Sequence, residues 1–542
     1  MRNETGHPKK ILLVDDRPSR PLMRRLEGAG YLVTGAESYA QAVACLDSDH
    51  FHLAIIDIRL EDTDAANEDG MKLLGIIATQ SLRAVMPCIV LTAYPNIDNI
   101  LIATQTRRVA RFIQKQANYI TEVLTTVEKL FEEQVKINFA LEYEISSHAL
   151  LTEIAQDIRW SAALQPPNEL LELQIRDLFG KLFVDAKRIY VTKLKPGLTG
   201  ASVSRVDPTW ALSPGPACVV KTGPLEKIET ENQHYNKYVR EQLNNAVTKV
   251  DVAHTRHLGA LRYTFAQSGA QALVEFDEYY TNKATGELLY SLDYLFYEAC
   301  RYWYDNHGER RYQQLAHLYY QAFELDAEKL VNRIQLILPA FNPTAATFQV
   351  EWIPNPLTNP IFWLANRDNE CILPVFATIT HGDLTGRNIM VNEEGRCWLI
   401  DFYRTYQSHI LRDFVILESD IKYRLLTQPN NKDFLLLEAA LLQWQPDQGA
   451  INFASAHGDI EKAVRVVANL RKIAYELGKG TGTTIHKEYL ISLLMATLNV
   501  VRLRHIPDER KMQAMLSAAL ICAELDRLAG REPDFDMQQV NR

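Results

Sequence analysis

His381-Gly382-Asp383-Leu384-Thr385-Gly386-Arg387-Asn388-Ile389-Met390 and, a few residues on, Trp398-Leu399-Ile400-Asp401-Phe402 place two aspartates and an asparagine at a telling spacing. The intervening Val391-Asn392-Glu393-Glu394-Gly395-Arg396 reads as a turn between two strands, Asn388–Val391 and Cys397–Ile400. Such a hairpin returns Asn388 and Asp401 to one end, where a single ion sees both. Asn and Asp are hard oxygen ligands for Mg²⁺ bridging nucleotide phosphates, and an Asp five residues before the Asn is placed to accept or orient the proton of an attacking hydroxyl. The set suits phosphoryl transfer from a nucleotide.

HGDLTGRNIMV…WLIDF resembles the aminoglycoside and choline phosphotransferases, which share the protein-kinase-like fold and use HGD where protein kinases use HRD. The resemblance implies an α+β bilobal domain with a large helical C-lobe, ATP and Mg²⁺, Asp383 as the catalytic aspartate, and Asn388 and Asp401 as metal ligands. It makes Arg387 a candidate to neutralise the γ-phosphate and His381 a structural bond to the loop backbone. Upstream, Arg188–Leu194 reads as a strand entering Lys195-Pro196-Gly197-Leu198-Thr199-Gly200-Ala201-Ser202-Val203. Gly197, Thr199, Gly200 and Ser202 are the residues expected to fold over phosphates there. Lys221 closes the apolar strand Ala217–Lys221, where a kinase-like fold sets a lysine against the α- and β-phosphates, held by a helical Glu. Ile228, Glu231, Tyr235 and Tyr238 recur at three- and four-residue steps, which puts Glu231 on the inward face as that partner, with Glu229 the alternative.

Beyond these, Val250–Phe265 and Gln271–Tyr279 read as strands, and Val274–Glu278 as the hinge for an adenine edge. Helices are expected over Ser291–Trp303, Arg311–Phe323, Phe434–Gln443, Asp459–Leu477, Lys487–Val501 and Arg510–Leu528, with another beginning at Leu411-Arg412-Asp413. Asn342–Asn369, rich in Pro and Asn, reads as an insertion.

At the other end of the chain, Lys9–Asp16 is a short apolar strand ending in two carboxylates, and Phe51–Asp57 is another ending in one. Helical pattern over Pro21–Gly28 and Ser38–Ser48, alternating with strands at Tyr31–Thr34, Cys88–Leu91 and Ala110–Gln114, implies a doubly wound parallel sheet. Its ligand site lies beyond the strand C-termini. Asp15, Asp16 and Asp57 all fall there, and carboxylates so clustered repel unless a cation such as Mg²⁺ sits among them. This segment resembles the receiver domain of two-component response regulators, a flavodoxin-like fold. By that resemblance Asp57 is the phosphoacceptor, and Asp15 and Asp16 hold the metal. Thr92 bonds the phosphoryl oxygen, Lys115 pairs with it, and Phe112 reorients. A histidine kinase or phosphotransfer protein is the implied donor. One departure is Gln116 after Lys115, where the family usually has Pro.

The 542-residue chain, 47% hydrophobic and 23% charged, is long enough for two to four domains. The boundaries expected are a receiver over 8–135, a connector over 136–165, a kinase-like N-lobe over 166–280 and a helical C-lobe over 281–542. The helix Ile120–Lys136, a strand at Ile137–Leu141 and a helix at Ser146–Ile158 would lead to Pro166-Pro167 and the helix Glu169–Phe183. The connector reads either as an inert link or as a coupling or homodimerisation element. A net charge of −9 argues against a general nucleic-acid surface, and the longest apolar run, Tyr489–Val501, is too short to span a bilayer. Seven scattered cysteines without a CxxC fit reduced thiols and a cytoplasmic protein. Two functions are expected from these residues. One is a response regulator controlling an ATP/Mg²⁺-dependent phosphotransferase with an unidentified hydroxyl acceptor. The other is a non-catalytic nucleotide-binding adaptor in a two-component or conflict system.

Overall fold

The structure, a computed structural model, describes residues 4–5, 7–17, 20–61, 67–79, 86–93, 109–145, 149–160, 165–194, 200–211, 213–243, 249–264, 273–427, 429–444, 451, 453, 458–479 and 482–531. The chain forms two compact units, Met1–Asn232 with Thr248–Phe265, and Gln233–Val247 with Ala266–Arg542.

The first unit contains two sheets. One is parallel and five-stranded, in the order Tyr31–Ala36, Lys9–Val14, Leu53–Asp57, Cys88–Thr92, Val109–Gln114. Its strands are apolar on both faces because helices cover both. Leu12, Val14, Ala54, Ile56 and Val90 pack with the helices Tyr39–Ser48 and Asp69–Thr79. The intervening residues Ile11, Leu13, Leu53, Ile55, Ile89 and Leu91 pack with Arg20–Gly28 and Tyr119–Leu130. Period-two alternation thus feeds two cores, each side chain contributing roughly 1.5–3 kcal/mol on burial. Every carboxyl-terminal strand end opens on the same edge, which is what gathers the aspartates.

The second sheet has seven strands, in the order Glu4–Thr5, Glu142–Ile145, Arg188–Lys193, Ser202–Thr209, Cys218–Pro224, Leu258–Thr264, Lys249–His254. Strand Ser202–Thr209 alternates between the core and outer positions along its length, as an antiparallel strand covered on one face should. The covering layer is the helices Leu150–Asp157 and Asn168–Leu182. The stretch expected as a connector therefore contributes a strand, parallel to Arg188–Val191, and a covering helix. The strand lies at Glu142–Ile145 rather than Ile137–Leu141. Asn138 is the reason: its amide donates to the carbonyls of Phe183 and Ala186 while its Oδ1 accepts from Ala140 N, so the chain turns there instead of extending.

The second unit is built on long helices, Asn431–Gln443, Gly458–Leu477, Gly482–Arg502 and Asp508–Leu528. Gly482–Arg502 is buried around most of its circumference, which explains its apolar composition as a central core helix. No described helix is long and apolar enough to cross a membrane. Three expectations need correction here. The stretch before Tyr279 is extended only at Val274–Glu275 and is helical from Phe276 to Asn282, so the hinge is half strand, half helix. Residues 271–272 lie outside the described residues. Arg311–Gln314 is a strand paired with Ile372–Val375, and the helix starts at Leu315, where Gln314 accepts from His317 N as its cap. The expected helix from Ser291 to Trp303 is instead Thr285–Asp293, a π-helical stretch Tyr294–Ala299, and Arg301–Asp305.

Candidate functional site

In the parallel sheet, Asp15 and Asp57 are 2% and 7% exposed and Asp16 is half-buried; one oxygen from each lies within 4.8 Å of the others. Lys115 Nζ donates to Asp15 Oδ2 at 2.8 Å and to Asp57 Oδ2 at 2.6 Å. Burial raises the Asp57 carboxyl above its ordinary value, with Lys115 pulling it down and Asp15 pushing it further up. Burial works against charge on Lys115 too, but hydrogen bonds and attraction from Asp15 and Asp57 win and raise its ammonium. Three carboxylates against this ammonium make an oxygen-only, anionic donor set, the chemistry that Mg²⁺ takes. Thr92 is buried at the end of its strand, and Phe112 is half-buried against the core. Gln116 does not displace Lys115, since the Lys115 N–H donates to Thr92 O at 2.8 Å and no described peptide is cis. Gly70 has to be glycine: a Cβ there would lie 2.0 Å from Asp57 O.

Also in the first unit, Lys221 and Glu231 are 5% and 1% exposed and form an ion pair at 2.7 Å. Tyr263 OH donates to the other oxygen of Glu231. Glu229 is instead beside His254, at 3.0 Å. Of the expected phosphate-loop residues, Gly197 and Thr199 lie outside the described residues. Gly200 adopts a left-handed φ of 77°, and its carbonyl accepts from Arg159 N. Ser202 differs from expectation. It is 1% exposed inside a strand, and its hydroxyl donates to Asp157, which takes it away from any phosphate.

In the second unit, the hairpin strands are Ile389–Val391 and Cys397–Leu399. Asn388 Nδ2 donates to Asp383 O at 2.7 Å and lies 3.4 Å from Asp383 Oδ2, while Ile400 N donates to Asn388 O at 3.1 Å. With its amide nitrogen so engaged, Asn388 keeps Oδ1 as an acceptor for a cation. Burial raises the Asp383 carboxyl, and the nearby charge of Asp401 raises it further. Asp401 itself holds a left-handed φ of 67°, a strain of about 1–2 kcal/mol for a non-glycine residue that the surrounding fold must offset. His381 Nε2 meets Ile400 O at 2.9 Å, a link between loop and hairpin. Arg387 does not face Asp383: its Nε is 3.6 Å from Asp277 Oδ2, beside the Arg424–Asp277 pair.

Two aspartates hold this loop: Asp413, which the sequence marked at the start of a helix without giving it a role, and Asp420, which the sequence did not single out. Asp413 accepts from the backbone N–H groups of His381 at 2.7 Å and Gly382 at 2.8 Å, and Asp420 accepts from Gly386 N at 2.8 Å. Both lie on the helix Arg412–Asp420, seven residues apart and so on one face. Two carboxylates at that spacing on an otherwise buried helix were the available signal. Gly382 completes the grip, because a Cβ there would fall 2.2 Å from Arg404 O.

Comparison with known proteins separates these regions. The Response regulator receiver domain profile matches residues 11–127. Residues 11–127 are a receiver domain. The profile of Ternary complex associated domain 9 matches 186–335 and 356–500, more than half of the chain. The chain belongs to the ternary complex associated domain 9 family. In this member of that family, the Lys221–Glu231 pair and the His381–Asp401 region both fall inside the matched segments, while the three receiver aspartates fall outside them. The Escherichia coli K12 transcriptional regulatory protein GlrR is 38% identical over 100 residues, 18% of this chain and 21% of that protein. QseF of E. coli O157:H7 matches equally. The chain thus spans about a fifth of the length of the curated relatives it matches. Among solved structures, a CheY-like receiver protein from Methanospirillum hungatei is 28% identical, covering 24% of this chain and 98% of its own, with a TM-score of 0.21. The HemR receiver domain from Leptospira biflexa is 28% identical, covering 23% and 94%, with a TM-score of 0.20.

Proposed function

We propose that the chain is a response regulator whose receiver, phosphorylated on Asp57 by a histidine kinase or phosphotransfer protein, controls an ATP- and Mg²⁺-dependent phosphotransferase activity of its family-defining region. The observation that carries this reading is the convergence of Asp383, Asn388 and Asp401 at one hairpin end, with Asn388 bonded to Asp383 and the Asp401 charge felt by Asp383. Mg²⁺ bound by Asn388 and Asp401 would neutralise nucleotide phosphates there. Asp383, its carboxyl raised, is suited to take the proton of an acceptor hydroxyl. The buried Lys221–Glu231 pair adds support, since a lysine held rigid by a carboxylate is a preformed phosphate contact.

The second reading, a non-catalytic nucleotide-binding adaptor, is favoured by two observations. Arg387, the residue expected at the γ-phosphate, is turned to Asp277, and the family's name describes association with a ternary complex. One experiment separates the two readings. The purified chain with Mg-ATP and a panel of small-molecule and protein hydroxyl acceptors should release or transfer phosphate, and Asp383→Ala should abolish it. ATP binding by calorimetry with no turnover on any acceptor selects the adaptor, and turnover in Asp383→Ala equal to that of the unsubstituted chain ends the phosphotransferase reading.

A further inference from the structure

Away from these residues, the first unit holds a cavity of about 450 Å³ between the receiver and the seven-stranded sheet. That volume falls in the range of roughly 300–1,000 Å³ usual for small-molecule sites. Phe51, Ile77 and Met86 of the receiver, with Val135, Ile137 and Val252 beyond it, make an apolar wall. Lys181, in the last turn of the helix Asn168–Leu182, also lines the space. Its neighbour Gly180 lets that helix approach the chain at Ile137, because a Cβ there would lie 2.7 Å from Ile137 Cγ2. His52 lines the cavity and immediately precedes the strand Leu53–Asp57, so the cavity sits at the opposite edge of the parallel sheet from the acidic pocket.

The charges around this space do not pair off. Lys181 Nζ donates to His254 O at 2.7 Å and forms no ion pair among the described residues. An ammonium has three N–H donors, so two are left for a ligand. The carboxylates lining the cavity are engaged elsewhere. Asp177, one helical turn before Lys181, is met at Oδ1 by His7 and His52 and at Oδ2 by His50. Asp49 accepts from Lys10 Nζ with both oxygens, at 2.7 and 2.9 Å. Of the other cations, Arg256 is bonded to Leu46 O and to Asp47 Oδ1, and Lys136 is exposed to solvent. Burial lowers the Lys181 ammonium, with the Asp177 charge opposing it. A cation so placed is costly until an anion joins it.

We propose that this cavity binds a small organic monoanion, a carboxylate on a short aromatic or aliphatic body, with the carboxylate accepting from Lys181 Nζ and the body against the apolar wall. One ammonium without an ion pair matches one negative charge, and a charge-assisted hydrogen bond in an apolar surround is a strong anchor. The apolar wall supplies the rest of the affinity by removing the ligand's body from water. Bound there, the ligand touches the receiver and the strand Lys249–His254 at once, all within the first unit. It is a chemical input to that unit separate from phosphorylation of Asp57.

The test titrates the full chain by calorimetry with benzoate and with benzamide, its neutral counterpart of the same shape, and repeats the pair with hexanoate and hexanamide. At least one carboxylate should bind at one site per chain, about 10–100-fold tighter than its amide. Lys181→Met keeps the length of the side chain and removes its charge, so it should bring the carboxylate down to the level of the amide. Val252→Trp, which fills the cavity from the strand, should abolish binding of both. Asp57→Asn and Asp383→Ala should leave the titration unchanged, which keeps this result separate from the outcome of the phosphotransferase assay. Circular dichroism checks that the variants fold alike. Failure of both carboxylates to bind saturably overturns the proposal. So does equal binding of carboxylate and amide, or a preference for the carboxylate that survives Lys181→Met.

Discussion

The receiver pocket and the His381–Asp401 loop both set aspartates at the end of short strands, yet they stabilise those carboxylates in opposite ways. In the receiver, Asp15 and Asp57 share the ammonium of Lys115, and Asp57 is still raised by burial. In the loop, Asp383 bonds an amide, and two further carboxylates, Asp413 and Asp420, are spent on backbone N–H groups. The first site is a repelling cluster held by one cation and ready for a second. The second is a backbone loop held in shape by carboxylates, with Asp383 and Asp401 outside that bracing. A carboxylate is thus a liability to stability in one region and a support in the other.

The sharpest way to break this contrast is chemical. Incubation with a small acyl phosphate and Mg²⁺ should label Asp57 as a hydroxylamine-labile acyl phosphate, with the label abolished in Asp57→Asn and intact in Asp383→Ala. ATP-dependent transfer should fall about 10²–10⁴-fold in Asp383→Ala. Loss of the acyl label in both variants would show that the two sites do not act independently.

Next in size is stability. Asp413→Ala strips the acceptor from two buried N–H groups and is expected to cost about 2–6 kcal/mol by denaturant unfolding. Asp15→Ala should do the reverse without Mg²⁺, stabilising the receiver by on the order of 1 kcal/mol as it relieves the cluster. Destabilisation of similar size by both would erase the distinction.

Acidification gives a third test. Burial, then the charges of Arg471 and Arg527, lower the His486 imidazole to about 4. The unfolded chain therefore binds that proton first, and its contribution to stability is lost as pH falls from about 6.5 through 4, on the order of 3 kcal/mol. His257, in the turn between strands Lys249–His254 and Leu258–Thr264, is likewise lowered to about 4, by burial and then Arg256, and has the same sign. Asp57 runs the other way: its raised carboxyl favours the fold at low pH and loses that contribution as pH rises through its folded value. Amide-exchange protection factors at pH 6.5, 5 and 4, which remove the pH dependence of intrinsic exchange, should therefore fall in the helix Gly482–Arg502 before they do in the strand Leu53–Asp57.

The smallest effect is a control. Ser38 caps the helix Tyr39–Ser48 by accepting from Gln41 N, and Asn430 caps Asn431–Gln443 by accepting from Asp433 N. Either residue changed to Ala should cost about 1 kcal/mol, equally in both regions, because capping is local.

Much of this was legible in the sequence. The receiver strands and their terminal aspartates followed from alternation and from the rule that parallel sheets gather ligands at one edge. The positions of Glu231 and of the late helices, Gly458–Leu477 and Gly482–Arg502 among them, followed from helical spacing. The misses share a cause. Asn138 turned a strand-like stretch through bonds to Phe183 and Ala186, more than forty residues away, and Ser202 was claimed by Asp157.

Sequence alone determined the receiver strands and the late helices, since hydrophobic period and terminal residue type act within a few positions of the chain, but not the elements at Glu142–Ile145, Phe276–Asn282 or Arg311–Gln314. It also determined which side chains could carry charge at strand ends. Only the tertiary structure decided which partner each of those groups took: Arg387 with Asp277, Asp413 and Asp420 with the loop backbone, and His7, His50 and His52 with Asp177. Hydrogen bonds and ion pairs act over about 3 Å of space, and chain separation says nothing about which distant groups will arrive within it.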